Sequence, residues 1–174
     1  MFNKILIPLD RSELAEKALH YLPALAAKGE TELILMAAIT PQMYSFSLGV
    51  DDPDLVARMM SHTGEKFQKY LADIESRLRQ EGYTVTSQIV HGDAAQSIVD
   101  VATESEGDLI LMTTHGYTGL SRWMLGSVAD RVLHTAKQPV FLARAALEMA
   151  APYTVGRILL PLDGSEPVLS LIHI

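Results

Sequence analysis

Two features of this 174-residue chain could carry chemistry. One is a glycine-punctuated stretch in which Gly116, Gly119 and Gly126 precede Ser127. Beyond it, Val128, Val132, Leu133 and Ala136 recur at helical spacing, which predicts a helix starting near Ser127. A helix start leaves backbone N–H groups unpaired and carries the positive end of the dipole, and glycines let a phosphate approach the backbone. The other feature is Asp10, at the end of the apolar run KILIPL over 4–9. Aspartate is also common as a plain turn residue after a strand, so a binding role and a structural one both stay open.

Other chemistries lack their residues. With no cysteine there is no disulfide, thiolate zinc site or cysteine nucleophile. The six histidines show no ligand spacing. Neither GxxxxGK followed by Ser or Thr nor GxGxxG occurs, so the P-loop and the dinucleotide fingerprint do not apply. Within the glycine stretch, His115 reads as a locally packed side chain. Arg122 reads equally well as a phosphate screen or a solvated surface residue. A net charge of −7 argues against a broad grip on nucleic acid or an acidic membrane. No apolar run reaches the roughly 18 residues of a membrane span, and no signal-peptide pattern opens the chain. A cytoplasmic protein is expected.

The elements that position these residues follow from the apolar pattern. Continuous apolar runs at 4–9, 32–39 and 109–112 suit strands covered on both faces, as in a parallel sheet. The β-branched, partly alternating 84–90 reads as an edge strand, and 139–143 as a short fifth strand. Ser12 caps an expected helix over 13–28 that Gly29 stops. Asp52 and Pro53 start one that runs to Glu81, ended by Gly82. Asp93 and Gln96 have capping-box spacing for a helix closed by Gly107. The order βαβαβαβαβ predicts a doubly wound, Rossmann-like α/β domain with a five-stranded parallel sheet. With strand order 3-2-1-4-5, Asp10 and the Gly116 stretch leave strands 1 and 4 on two sides of the switch-point crevice. Met43 to Leu48 reads as a lid or partner surface, and Met59, Met60 and Trp123 as core or interface.

The chain also repeats itself. KILIPLDRSE at 4–13 returns as RILLPLDGSE at 157–166, identical at seven of ten positions. The Ala-rich 145–156 reads as a linker. The expected organisation is one domain over 1–144 and the first strand of a truncated second copy over 157–174.

Over 2–144 the chain resembles the universal stress protein family. Nucleotide-binding members carry glycine, two residues, glycine, nine residues, glycine, then serine or threonine. Gly116 matches the second glycine, Tyr117 to Leu125 the spacer, and Gly126-Ser127 the end. THGYTGLSRWMLGSVADRVL, ILIPLD, the HGD at 91–93 and GDLILM are similar too. The first signature glycine falls on Thr113, a β-branched residue that resists positive φ. The resemblance implies an adenine nucleotide alpha hydrolase-like fold that binds ATP, with Mg²⁺ arriving on the phosphates. Asp10 would meet the ribose and Ala38 the adenine, through its backbone. Gly116 and Gly119 would line the triphosphate, while Gly126, Ser127 and Val128 would offer N–H groups, with the Ser127 hydroxyl. Pro8 belongs to the same nucleotide-binding set. Dimerisation, or pairing of tandem domains, would use the last strand.

The function expected is an ATP-binding sensor or regulator in stress response with little catalytic turnover. One alternative is a nucleotide-free dimerising domain, which Thr113 keeps open. Another is an adenylating or ATP pyrophosphatase-type enzyme. Those carry an SGGxDS-like loop after strand 1, where this chain reads PLDRSE.

Overall fold

In the computed structural model, which describes residues 2–40, 53–114 and 125–143, each run expected as a strand is one. The strands are β1 (Lys4–Pro8), β2 (Glu32–Ile39), β3 (Thr84–His91), β4 (Leu109–Thr113) and β5 (Val140–Ala143). They form one parallel sheet in the order β3-β2-β1-β4-β5, the order expected. In register, Ile5 stands beside Leu33 on one side and Leu109 on the other.

The unbroken apolar runs have a direct cause. Successive strand residues point to opposite faces, and both faces are covered. Ile5 and Ile7 of β1, with Leu33 and Leu35 of β2, pack against Leu19, Leu22, Phe67 and Leu71. Leu6 and Met36 point the other way, onto Ile98, Val101, Ala129 and Val132. Ile5, Leu6 and Ile7 are all 0% exposed, so no position of the strand centre tolerates a polar side chain. β3 lies at the sheet edge, and Thr84, Thr86, Ser87 and Gln88 are exposed there.

The first helix departs from expectation. Instead of one helix over 13–28, the chain forms α1 (Glu13–Glu16), a 3₁₀ segment (Lys17–Tyr21) and α2 (Leu22–Leu25). Pro23 is the cause. It has no N–H to give the Leu19 carbonyl, and the Leu22 N–H takes that carbonyl in a tighter bond. Ser12 does cap α1, its Oγ accepting from the Ala15 N–H at 3.0 Å.

The other helices follow the pattern: α3 (Pro53–Gln80), α4 (Ala94–Glu104) and α5 (Ser127–Thr135). α3 closes on a Schellman motif. Gly82 at φ 97° donates to the Arg79 carbonyl at 3.0 Å, and buried Tyr83 donates to Leu78 at 3.1 Å. α4 ends in the same way but with a different residue at the critical place. Glu106 takes the left-handed conformation at φ 54°, and Gly107 only supplies the N–H that reaches Ala102 at 2.9 Å. Gly107 is therefore not the residue that closes the helix. The capping box at its start is half formed. Asp93 accepts from the Gln96 N–H, but the Gln96 side chain turns to Asp100.

Candidate functional site

A cavity of about 260 Å³ opens at the C-terminal ends of β1, β2 and β4. It lies where the order reverses between β1 and β4, the place where open α/β sheets hold ligands. Pro8 lines it from β1 and Asp10 from just beyond that strand, Ala38 from β2, and Thr113 and Thr114 from the exit of β4. Gly126, Ser127 and Val128 close it from α5, and Ala94 and Ile98 from α4. Six of the eight residues singled out in the sequence thus line one cavity: Pro8, Asp10, Ala38, Gly126, Ser127 and Val128. Gly116 and Gly119 lie outside the described residues, as do His115, Arg122, Trp123, the segment 43–48 and the repeat at 157–166.

On the β1 side, Asp10 has a structural duty as well. Its Oδ1 accepts from the Ser12 N–H at 3.0 Å and from the Ser12 hydroxyl. This local turn forces Arg11 into the left-handed region at φ 66°. The Arg11 guanidinium then rests 5.5 Å from the centroid of the Phe67 ring. The plain turn role of Asp10 is real, and it holds the carboxylate at the cavity edge.

On the opposite side, α5 begins at Gly126, which has φ −64° and ψ 146° and no side chain to cap the helix. The Asp130 N–H makes the first intrahelical bond, to the Gly126 carbonyl at 2.9 Å. Ser127, Val128 and Ala129 have no acceptor for their N–H groups among the described residues, and all three line the cavity. Gly126 differs from the sequence reading. Its N–H donates to the Thr114 carbonyl at 2.8 Å, so the donors facing the cavity begin at Ser127.

Thr113 also reads differently in three dimensions. It is the last residue of β4, buried at 6% exposure, and it is not among the residues with positive φ. The chain needs no glycine conformation at this point of the signature.

Arg131 had no place in the sequence reading. It lies on α5, four residues beyond Ser127, and its Nη1 meets Asp93 Oδ2 at 2.8 Å. The guanidinium, and then the Gln96 N–H, hold the Asp93 carboxyl below the usual carboxylate range. Its partner is 38 residues away, so no local spacing in the sequence marks it. No cluster of three metal-ligating side chains occurs among the described residues. No helix there is long and apolar enough to cross a membrane.

The sheet order, with a cavity where it reverses, defines a doubly wound α/β domain. Residues 1–144 match the universal stress protein family, and the chain belongs to it. Universal stress protein MJ0577 of Methanocaldococcus jannaschii is 30% identical over 155 residues, covering 83% of this chain and 96% of that protein. The MJ0577 structure superposes with a TM-score of 0.74 at 29% identity, over 83% of this chain and 96% of that one. A universal stress protein of Mycolicibacterium smegmatis is 26% identical over 167 residues, which cover 92% of this chain and 54% of that protein. A universal stress protein family member from Arabidopsis thaliana, solved with AMP bound, shares the fold. Its TM-score is 0.59 at 15% identity, over 82% of this chain and 91% of that one.

Proposed function

We propose that this domain binds an adenine nucleotide, ATP with Mg²⁺ carried on its phosphates, and works as a nucleotide-dependent sensor or regulator with little turnover. The observation that carries the reading is the start of α5. Ser127, Val128 and Ala129, whose N–H groups have no acceptor among the described residues, line the same cavity as Asp10. Helix N–H groups suit phosphate oxygens, and a carboxylate suits the paired hydroxyls of a ribose. The apolar wall of Met36, Ala38 and Ile98 suits a base. The Ser127 hydroxyl adds a further donor.

The residues present fit a nucleotide whose Mg²⁺ takes most of its ligands from phosphate and water, since the described lining offers one carboxylate, that of Asp10. Among the described lining residues Asp10 is also the one titratable side chain, and Ser12 holds one of its oxygens. The AMP-bound Arabidopsis relative supports adenine as the base. A cytoplasmic location is part of the same reading.

β5 forms the outer edge of the sheet, which suits pairing with a second domain, in a homodimer or within a tandem chain. The repeat at 157–166 and the Mycolicibacterium relative, about half of whose length is matched, support the tandem organisation. Isothermal titration with Mg·ATP, with GTP as control, tests the reading. Adenine-selective binding is expected. A well-folded chain that takes up no nucleotide would favour the nucleotide-free dimerising alternative.

A further inference from the structure

The Asp93–Arg131 pair stands where two walls of the cavity meet. Ala94, the first residue of α4, lines the cavity, and so does the first turn of α5. Asp93 directly precedes the one, and Arg131 lies one turn beyond the other. Residues i and i+4 stack on one face of a helix, and side chains lean toward the helix N-terminus. Arg131 therefore leans back toward Ser127, and its guanidinium bridges α5 to Asp93 at the start of α4, at the rim outside the described cavity lining.

Two features set this pair apart from an ordinary surface contact. Asp93 is fixed at both oxygens: Oδ1 accepts from the Gln96 N–H at 3.0 Å while Oδ2 holds Arg131 at 2.8 Å. A guanidinium offers five N–H donors, and Asp93 takes up only the Nη1 group. Arg131 has no other hydrogen-bond acceptor among the described residues.

Charge decides what those remaining donors are for. The described cavity lining contains no cationic side chain and one carboxylate. A helix start is equivalent to about half an elementary charge. A single phosphate already carries a charge of about −1.5 to −2, and each further phosphate adds to what the helix start leaves unmet. We infer that Arg131, positioned by Asp93, is a specificity-determining residue of the nucleotide site. It meets the outer phosphates, so the site favours nucleotides carrying two or three phosphates over those carrying one. This rests on the nucleotide-binding reading above.

The test is isothermal titration of the full chain and of Arg131→Gln and Arg131→Lys with ATP, ADP and AMP in Mg²⁺. The Arg131 side chain is 55% exposed, so both variants are expected to fold, and circular dichroism verifies it. Wild type is expected to prefer ATP and ADP to AMP. Arg131→Gln is expected to lose about tenfold to a hundredfold on ATP and ADP, the range for a hydrogen bond to a charged group. On AMP it should change by less than about twofold. Arg131→Lys should fall between, because it keeps the charge and loses the planar fork. Equal losses on all three nucleotides, or no loss on any, would overturn the inference while leaving nucleotide binding intact. A wild-type chain that binds none of the three would overturn the nucleotide reading itself, and this inference with it.

Discussion

Gly126 donates its backbone N–H to the carbonyl of Thr114 at 2.8 Å, and the Thr114 N–H in turn donates to Ala143 at 3.0 Å. The glycine-rich segment between 114 and 126 therefore begins and ends at one point, fastened to the edge strand β5. The bond fixes how α5 enters the cavity, and it passes the role of first donor from Gly126 to Ser127.

Ser127→Pro isolates that donor. Proline is favoured at the first position of a helix, where its missing N–H breaks no helical bond. The preceding Gly126, at φ −64° and ψ 146°, already has the conformation a following proline requires. The variant should thus melt within a few degrees of wild type while losing one backbone donor and the hydroxyl. At about 1.5–3 kcal/mol for a hydrogen bond to a charged group, ATP affinity should drop at least tenfold. Ser127→Ala should lose less, because it keeps the N–H. Titration and thermal melts of the two variants check this. Unchanged ATP binding in Ser127→Pro would remove α5 from the site.

The sheet was legible because burial leaves a plain mark. β1, β2 and β4 are covered on both faces, so Lys4–Pro8, Glu32–Ile39 and Leu109–Thr113 read as apolar runs. What the sequence obscured was local. Pro23 sits inside an otherwise regular helical pattern and breaks it. Glu106 and Arg11 take left-handed conformations that composition alone does not announce. For Arg11 a signal existed: the repeat has Gly164 at the equivalent position. Arg131 escaped notice because its partner Asp93 is 38 residues away, a pairing that only the packing of α4 on α5 creates.

These two left-handed residues make different predictions. A non-glycine residue there costs about 1–2 kcal/mol, and glycine returns about 0.4–1 kcal/mol of that through the freedom of the unfolded chain. Glu106→Gly removes the strain at no evident loss of contact, so it should raise stability by about 0.5–1 kcal/mol. Arg11→Gly relieves the same strain but gives up the contact with Phe67, about 0.5–1 kcal/mol at an exposed site. Its net effect should be near zero. Urea unfolding of both variants decides the matter. A destabilised Glu106→Gly would mean that the glutamate side chain does more than occupy the turn.

Asp93 gives the fold a pH dependence of known sign. Arg131 and the Gln96 N–H lower its folded pKa below the ordinary value near 3.8. Its contribution is therefore present above the unfolded pKa and is lost as pH falls through the folded one. Asp93→Asn keeps a competent cap while removing the charge that holds Arg131. The stability difference between wild type and Asp93→Asn should stay constant from about pH 5 to 8 and shrink below about pH 4. With both side chains about half exposed, solvent screening keeps that difference small, and added salt should reduce it further. Urea unfolding at pH 7, 5 and 3 measures it. A difference that grows toward acid would contradict the depressed pKa.

Thr113 offers the last test, because the family signature and the local backbone disagree about it. If this position required a glycine conformation, Thr113→Gly would relieve strain and stabilise the fold. The structure places Thr113 in β4 instead, pairing with Ala143 of β5, buried, and with no positive φ. Glycine at a paired strand position costs up to about 0.5–1 kcal/mol, and the lost buried methyl adds about 0.8 kcal/mol. Thr113→Gly should therefore be less stable than wild type by about 1–2 kcal/mol. Chemical denaturation reads this directly. A gain in stability would show that the strand is strained there and that the threonine is a handicap to the loop it leads into.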